Sequence, residues 1–245
     1  MAENSRESGR AEGRHIVDVL IEERAPNLSS GPIWPVLRPI LYNILDYAKA
    51  VRMADAISVM GGAQALNFVS ALLGVRVEVS GLERLPREGR LVIVCNHPTG
   101  IADGVAVYDA LKPVRPDIQF YANSDAHRVC PQFDEVLIPV EWVEAKRTRD
   151  RTRLTLEMSR AAFEADKALM IFPAGRLARR VNGILSDPDW MPTAISLARK
   201  HGSRVVPMHL DGPHAALFHF FDRFSKELRD ITLFHELLNK RGKLF

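Results

Sequence analysis

Two short, uninterrupted apolar runs constrain this chain most: "LVIVC" at 91–95 and "ALMIF" at 168–172. Side chains alternate between the two faces of a strand, so a strand reads as continuously apolar only when both faces are covered. That is the situation of an interior strand in a sheet with helices on either side. Around these runs the same grammar repeats. "IQFYA" (118–122), "EVLIPV" (135–140) and "RVVPMHL" (204–210) are strand-like, and "VRVEV" (75–79) alternates with period two. Helical patterns separate them at 103–111, 151–165 and about 191–201. This succession predicts an α/β fold with a mostly parallel or mixed central sheet flanked by helices. Ligands in such sheets sit just beyond the strand carboxyl ends, which singles out the loops after Cys95, Phe172 and Leu210.

A length of 245 residues suits one large domain with an added N-terminal element. Residues 1–30 begin with a polar stretch that lacks the apolar core of a secretory signal, and loose order is expected there. Residues 31–74 form a helical element and 75–245 the α/β domain. Within 33–73 the spacing predicts two helices, with Pro35 and Pro39 early in the first and Gly74 as the stop after the second. Residues 56–75 carry no charge, but Ser58, Gln64, Asn67, Ser70 and the pair Gly61 and Gly62 make a buried or interfacial helix a better reading than a membrane span. Trp34 and Tyr42 fit a lipid interface and ordinary packing equally well.

The net charge is only +3, yet basic residues cluster at 146–153 ("KRTRDRTR"), 176–180 ("RLARR") and 240–243 ("KRGK"). Such clusters suit phosphates or anionic lipid headgroups, or are simply solvated helix starts. No aromatics interleave with them, so a nucleic-acid partner is not expected. Two cysteines, Cys95 and Cys130, make no disulfide framework and no CxxC pair, which favours a reducing compartment. Cys95 closes an apolar run and reads as packing.

Three strand ends carry the chemistry. "CNHPTGIADG" (95–104) places His97 after a buried strand, within a turn-rich stretch, and Asp103 near the start of the next helix. A histidine that donates one ring hydrogen to a carboxylate keeps its other nitrogen free to take a proton. The same residues also fit a helix-capping aspartate beside a locally bonded histidine. In "IFPAGRLARR" (171–180), Gly175 permits close backbone approach and Arg176, Arg179 and Arg180 offer charge to an anion. In "VVPMHLDGPH" (205–214), His209, Asp211 and His214 follow another strand; joined to His97 and Asp103 they suggest a metal site, although no tight zinc spacing is present.

In this order the three blocks, "NHPTGIAD", "FPAGR" and "VVPMHLDG", resemble the glycerolipid acyltransferase superfamily, the lysophosphatidic acid acyltransferase-like enzymes. The similarity runs over roughly 75–220 and looks most like the branch containing ornithine-lipid O-acyltransferases and hemolysin-like proteins. The resemblance implies a membrane-associated O-acyltransferase that moves a fatty acyl group from acyl-CoA or acyl-carrier protein to a lyso-lipid hydroxyl, without a metal or prosthetic group and without an acyl-enzyme. His97 would be the general base and Asp103 its orienter. Gly100, Phe172, Pro173, Gly175 and Pro207 would shape the substrate site, and Arg176 would stand in for a headgroup-binding arginine. Asn96 and the turn amides are candidates to hold the oxyanion. The implied location is the cytoplasmic face of the inner membrane, peripheral or monotopic, with anionic lipids drawn to the basic clusters.

The chain departs from the wider family in three ways. Five residues separate His97 from Asp103 where four are usual, so the turn must absorb one more; the ornithine-lipid branch shares the longer spacing. Ala174 replaces a frequent glutamate, and "LIPVEW" (137–142) lacks an arginine, which disfavours a glycerol-phosphate acceptor. At "NKRGKLF" (239–245) the sequence stops short of a further strand, so it is expected either to be truncated there or to close its sheet differently. Two other readings remain open: a metal-dependent hydrolase using His97, Asp103, His209 and Asp211, and an inactive membrane-binding relative.

Overall fold

The computed structural model describes residues 13–141 and 147–245. The first twelve residues and 142–146 lie outside it, including Trp142 of "LIPVEW" and Lys146 of the first basic run.

Five strands form the central sheet: β1 (Leu91–Cys95), β2 (Gln119–Asn123), β3 (Leu137–Val140), β4 (Ala168–Ile171) and, after a separate hairpin of β5 (Arg179–Val181) and β6 (Ile184–Ser186), β7 (Arg204–Met208). Their order is β3-β2-β4-β1-β7, and every pairing is parallel. The two apolar runs lie side by side, Leu91 against Ala168 and Val94 against Ile171, and every residue of both strands is buried. Alternate residues of β1 serve opposite layers. Leu91, Ile93 and Cys95 pack with the helix Ile101–Leu111 and the N-terminal helices. Val92 and Val94 pack with the helices Arg149–Glu164 and Thr193–His201.

Within 33–73 there are three helices where two were expected: Trp34–Ile44, Tyr47–Ile57 and Gly62–Leu73. The first break falls at Asp46, which is left-handed at φ 56°; the second is at the Gly-Gly pair, where the Gly62 Cα faces the backbone of Gln132 and Phe133 too closely for a side chain. Gly74 ends the third helix in the left-handed conformation, as its position predicted. Residues 16–29, expected to be loosely ordered, instead form the helices Ile16–Arg24 and Pro26–Ser29. Val17, Leu20 and Ile21 sit in the core, and buried Asp18 accepts hydrogen bonds from Tyr42 (2.8 Å), Tyr47 (2.9 Å) and Arg38 (3.1 Å). The polar opening of the chain masked an apolar helical face that begins at Ile16.

"VRVEV" is not a strand of the sheet. It is extended, as its alternation required, but pairs with the end of the chain: Arg76 N–H donates to Lys243 O and Phe245 N–H to Arg76 O, each at 2.8 Å. Periodicity specifies an extended backbone, not its partner. Two basic runs also resolve into structure. Residues 149–153 start a helix capped by Thr148, with Arg153 paired to Glu157, and Lys240 of "KRGK" is buried against Glu236 (2.9 Å) and the carbonyl of His214 (3.0 Å). Among the described residues no helix is long and apolar enough to cross a membrane.

Candidate active site

β1 is flanked by β4 and β7, so the three loops that carry the motifs leave the same edge of the sheet beside one another. At the end of β1 the side chain of Asn96 straps it to the end of β7. Its amide donates to Leu210 O at 2.8 Å and its carbonyl accepts from Leu210 N–H at 2.7 Å. Asn96 thus organises the loops, and an oxyanion role would be left with its one remaining amide hydrogen.

His97 meets Asp103: Nδ1 lies 2.8 Å from Oδ2. Asp103 is the third residue of the helix Ile101–Leu111 and is 0% exposed. Its Oδ2 also accepts the N–H groups of Thr99 (2.9 Å) and Gly100 (3.1 Å), and its Oδ1 accepts the Thr99 hydroxyl. The capping and orienting readings of Asp103 are therefore one arrangement: a carboxylate that reaches back to the first turn's amides and also holds the imidazole. A carboxylate so supplied with donors acts as an acceptor, which places the ring hydrogen on Nδ1 and leaves the lone pair on Nε2. The amides of Thr99 and Gly100 are committed to Asp103 and are not free to hold an oxyanion.

The longer spacing is absorbed at Gly100. Its φ of 107° and ψ of −146° belong to a region that only glycine occupies comfortably, and an added Cβ would sit 3.3 Å from Leu177 Cδ2. The chain can therefore reverse tightly enough for residues six apart to touch.

The second block supplies a wall and a clamp. Phe172 stacks on the His97 ring, with centroids 4.3 Å apart and planes 21° apart, leaving the imidazole 17% exposed. Pro173 is buried and accepts from Met191 N–H at 3.0 Å; Gly175 turns the chain at φ 62°, and Arg176 is exposed. The next residues then form the β5–β6 hairpin, closed by Asn182 and Gly183, both at positive φ. This hairpin grips the backbone of His97 from both sides: Ala178 N–H donates to His97 O at 2.9 Å, and His97 N–H donates to Asp187 Oδ1 at 3.1 Å. Asp187 is itself held by Trp190 Nε1–H at 2.9 Å. Reading the residues after "FPAG" as a basic loop missed both; the "VNGI" turn between β-formers was the available signal.

The third block contributes less. Pro207 lies beside Val94 on the edge strand, exposed, and His209 and Asp211 are also exposed. Among the described residues no three His, Cys, Asp or Glu side chains gather as a metal site, so the donor set of the hydrolase reading does not converge. Cys95 is buried, and its thiol is pushed up to about 12, first by desolvation and then by the negative charges of Asp103 and Asp187. A thiol in that state is no nucleophile at neutral pH.

Gly100→Ala tests the turn. It is expected to destabilise the protein by about 1–3 kcal/mol, read as a lowered midpoint of chemical unfolding; an unchanged midpoint would show that the turn tolerates a side chain.

Comparison with known proteins gives the family. An acyltransferase family model matches residues 76–211, which contain the first two blocks and the third as far as Asp211. A lyso-glycine lipid O-acyltransferase of Phocaeicola vulgatus is 28% identical over 219 residues, covering 82% of this chain and 75% of that protein. Another of the same name, from Bacteroides thetaiotaomicron, is 29% identical over 215 residues, covering 82% and 77%. With more than half its length inside the family match and the His97–Asp103 pair formed at the end of the central strand, the chain belongs to the acyltransferase family.

Proposed function

We propose that this acyltransferase moves a fatty acyl group from a thioester donor, acyl-CoA or acyl-carrier protein, to the hydroxyl of a single-chain lyso-lipid. The observation that carries the reading is the imidazole held at 2.8 Å by buried Asp103, stacked on Phe172 and still partly exposed to solvent. His97 Nε2 takes the proton of the acceptor hydroxyl while that oxygen bonds to the thioester carbonyl carbon. The tetrahedral adduct then expels the thiolate, which recovers the proton from the imidazolium. Asp103 stabilises the imidazolium between the two steps, in the manner of any base-orienting carboxylate. Transfer is taken as direct, and the burial of Cys95 accords with that. The chemistry needs no metal or prosthetic group. The names of the two relatives make a lyso-glycine lipid the first acceptor to assay, with lyso-ornithine lipid and lysophospholipids beside it.

His97→Ala is expected to lower kcat by roughly 10²- to 10⁴-fold, the usual worth of a positioned general base. Asp103→Asn should fall in the same direction with the fold intact by circular dichroism. Full activity in His97→Ala would sink the mechanism. Asp187→Ala, which frees one side of the His97 backbone, should reduce kcat by roughly tenfold or more with a smaller change in KM; equal loss in both would point to general damage instead.

The acceptor is amphiphilic, so the site must meet a lipid surface. The helix Trp34–Ile44 offers one: Val36, Ile40 and Ile44, with Ile33 just before it, are all exposed at helical spacing. This face would rest in the headgroup region of the cytoplasmic leaflet of the inner membrane. Replacing Val36 and Ile40 together with Asp should cut co-sedimentation with phosphatidylglycerol-containing vesicles severalfold; wild-type binding by that variant would exclude this face.

A further inference from the structure

Beside the catalytic loop lies a buried cationic cluster whose hydrogen-bonding capacity is not fully met. It is built by Arg179, at the start of β5, and by the helix Ala216–Phe221, which lies beyond the family match. The Arg179 guanidinium lies 4.5 Å over the Phe218 ring, and its Nη1 is buried without a hydrogen bond. The nearby Asp222 Oδ1 is 3.6 Å away and already accepts from Arg229 Nη1 at 2.8 Å. His219 is 7% exposed, and its Nε2 is likewise buried with no partner. Neither atom has a hydrogen bond, a state native interiors seldom leave in buried polar groups, and Arg179 keeps only the longer ion pair to Asp222.

The surrounding charge favours an anion. His219 feels Arg180, Arg179 and His214, and Arg179 feels Arg229 and Arg176; Asp222 and Asp230 oppose them and are both bonded to Arg229. Burial first, then these cations, hold both His219 and Arg179 below their usual values, so a negative group entering here would relieve an existing cost. The cluster also adjoins the chemistry. Arg179 directly follows Ala178, whose N–H is bonded to His97 O, and Leu210, shortly before the helix, is strapped to Asn96. Exposed Val181, Ile184, Phe220 and Phe224 stand on the same two elements or directly beyond them, an apolar margin suited to a lipid chain.

We propose that this cluster binds an oxyanion on the acceptor's headgroup, with Arg179 and His219 as its ligands. The inference rests on the reading of the protein as a lyso-lipid acyltransferase and assigns the headgroup site within it. A guanidinium pairs with carboxylate and phosphate alike, so the two are separated by the probes.

The test is equilibrium binding to the full-length protein without any acyl donor. The probes are an N-(β-hydroxyacyl)glycine, which has one hydroxyl and one free carboxylate, its uncharged glycinamide, and lysophosphatidic acid, all below their micellar concentrations. Wild type should bind at least one anionic probe roughly ten- to a hundredfold more tightly than the amide, the range of a charge-assisted hydrogen bond. Arg179→Gln should abolish that preference while leaving amide binding unchanged, and His219→Gln should reduce it; unfolding midpoints near wild type confirm the fold. Equal binding of all three probes by wild type would overturn the proposal. So would a variant that weakens all three alike, or one that raises KM for acyl-CoA with acceptor affinity unaltered. Failure of wild type to acylate any lyso-lipid would sink the functional reading instead, and the binding series would still report on the cluster.

Discussion

The site depends on one buried carboxylate. Asp103 has no exposure to solvent, yet four donors from three residues converge on it: the imidazole of His97, the N–H and hydroxyl of Thr99, and the N–H of Gly100. Burying a carboxylate is tolerable only when its lone pairs are satisfied, and a helix N-terminus supplies the complementary field. The same bonds shape the turn and present the base. Losing the carboxylate would leave two backbone N–H groups and a hydroxyl without partners as well as an unoriented histidine.

Around this centre the sheet order does the assembling. Placing β1 between β4 and β7 brings Phe172 against His97, Leu210 against Asn96, and the hairpin against the His97 backbone. The helices before the sheet share one face of it with the helix that carries Asp103, so the apolar stripe at 33–44 belongs to the same packed body as the catalytic turn. The C-terminal tail joins in. Phe245 packs so closely on Gly212 that a side chain there would meet both the phenyl ring and Thr99.

Much of this was legible in the residues. "LVIVC" and "ALMIF" predicted interior parallel strands, and they pair with each other at the centre of the sheet. His97 and Asp103 were readable as a pair because a buried strand, a turn and a helix start follow one another within ten residues. What escaped was long-range. Asp187 lies 90 positions from the backbone N–H it anchors, and Asn96 lies 114 from Leu210, so no local pattern announces either contact. "VRVEV" announced an extended segment but not that its partner is the last three residues. "RLARR" looked like one basic surface, whereas the fold exposes Arg176 and Arg180 and tucks Arg179 over Phe218.

The sequence by itself determined the alternation of strand and helix, the turn that glycine alone can make at residue 100, and the residue types available for proton transfer. These follow from local sterics and from apolar periodicity, which act between near neighbours. Only the tertiary structure decided which strands stand beside β1, that Asn96 is a strap with a single amide hydrogen left over, and that Arg179 Nη1 and His219 Nε2 are buried in one cationic cluster without hydrogen bonds. Those outcomes depend on which strands pair and which helices cover them. That choice is made by the burial of the whole core, and no short stretch of residues contains it.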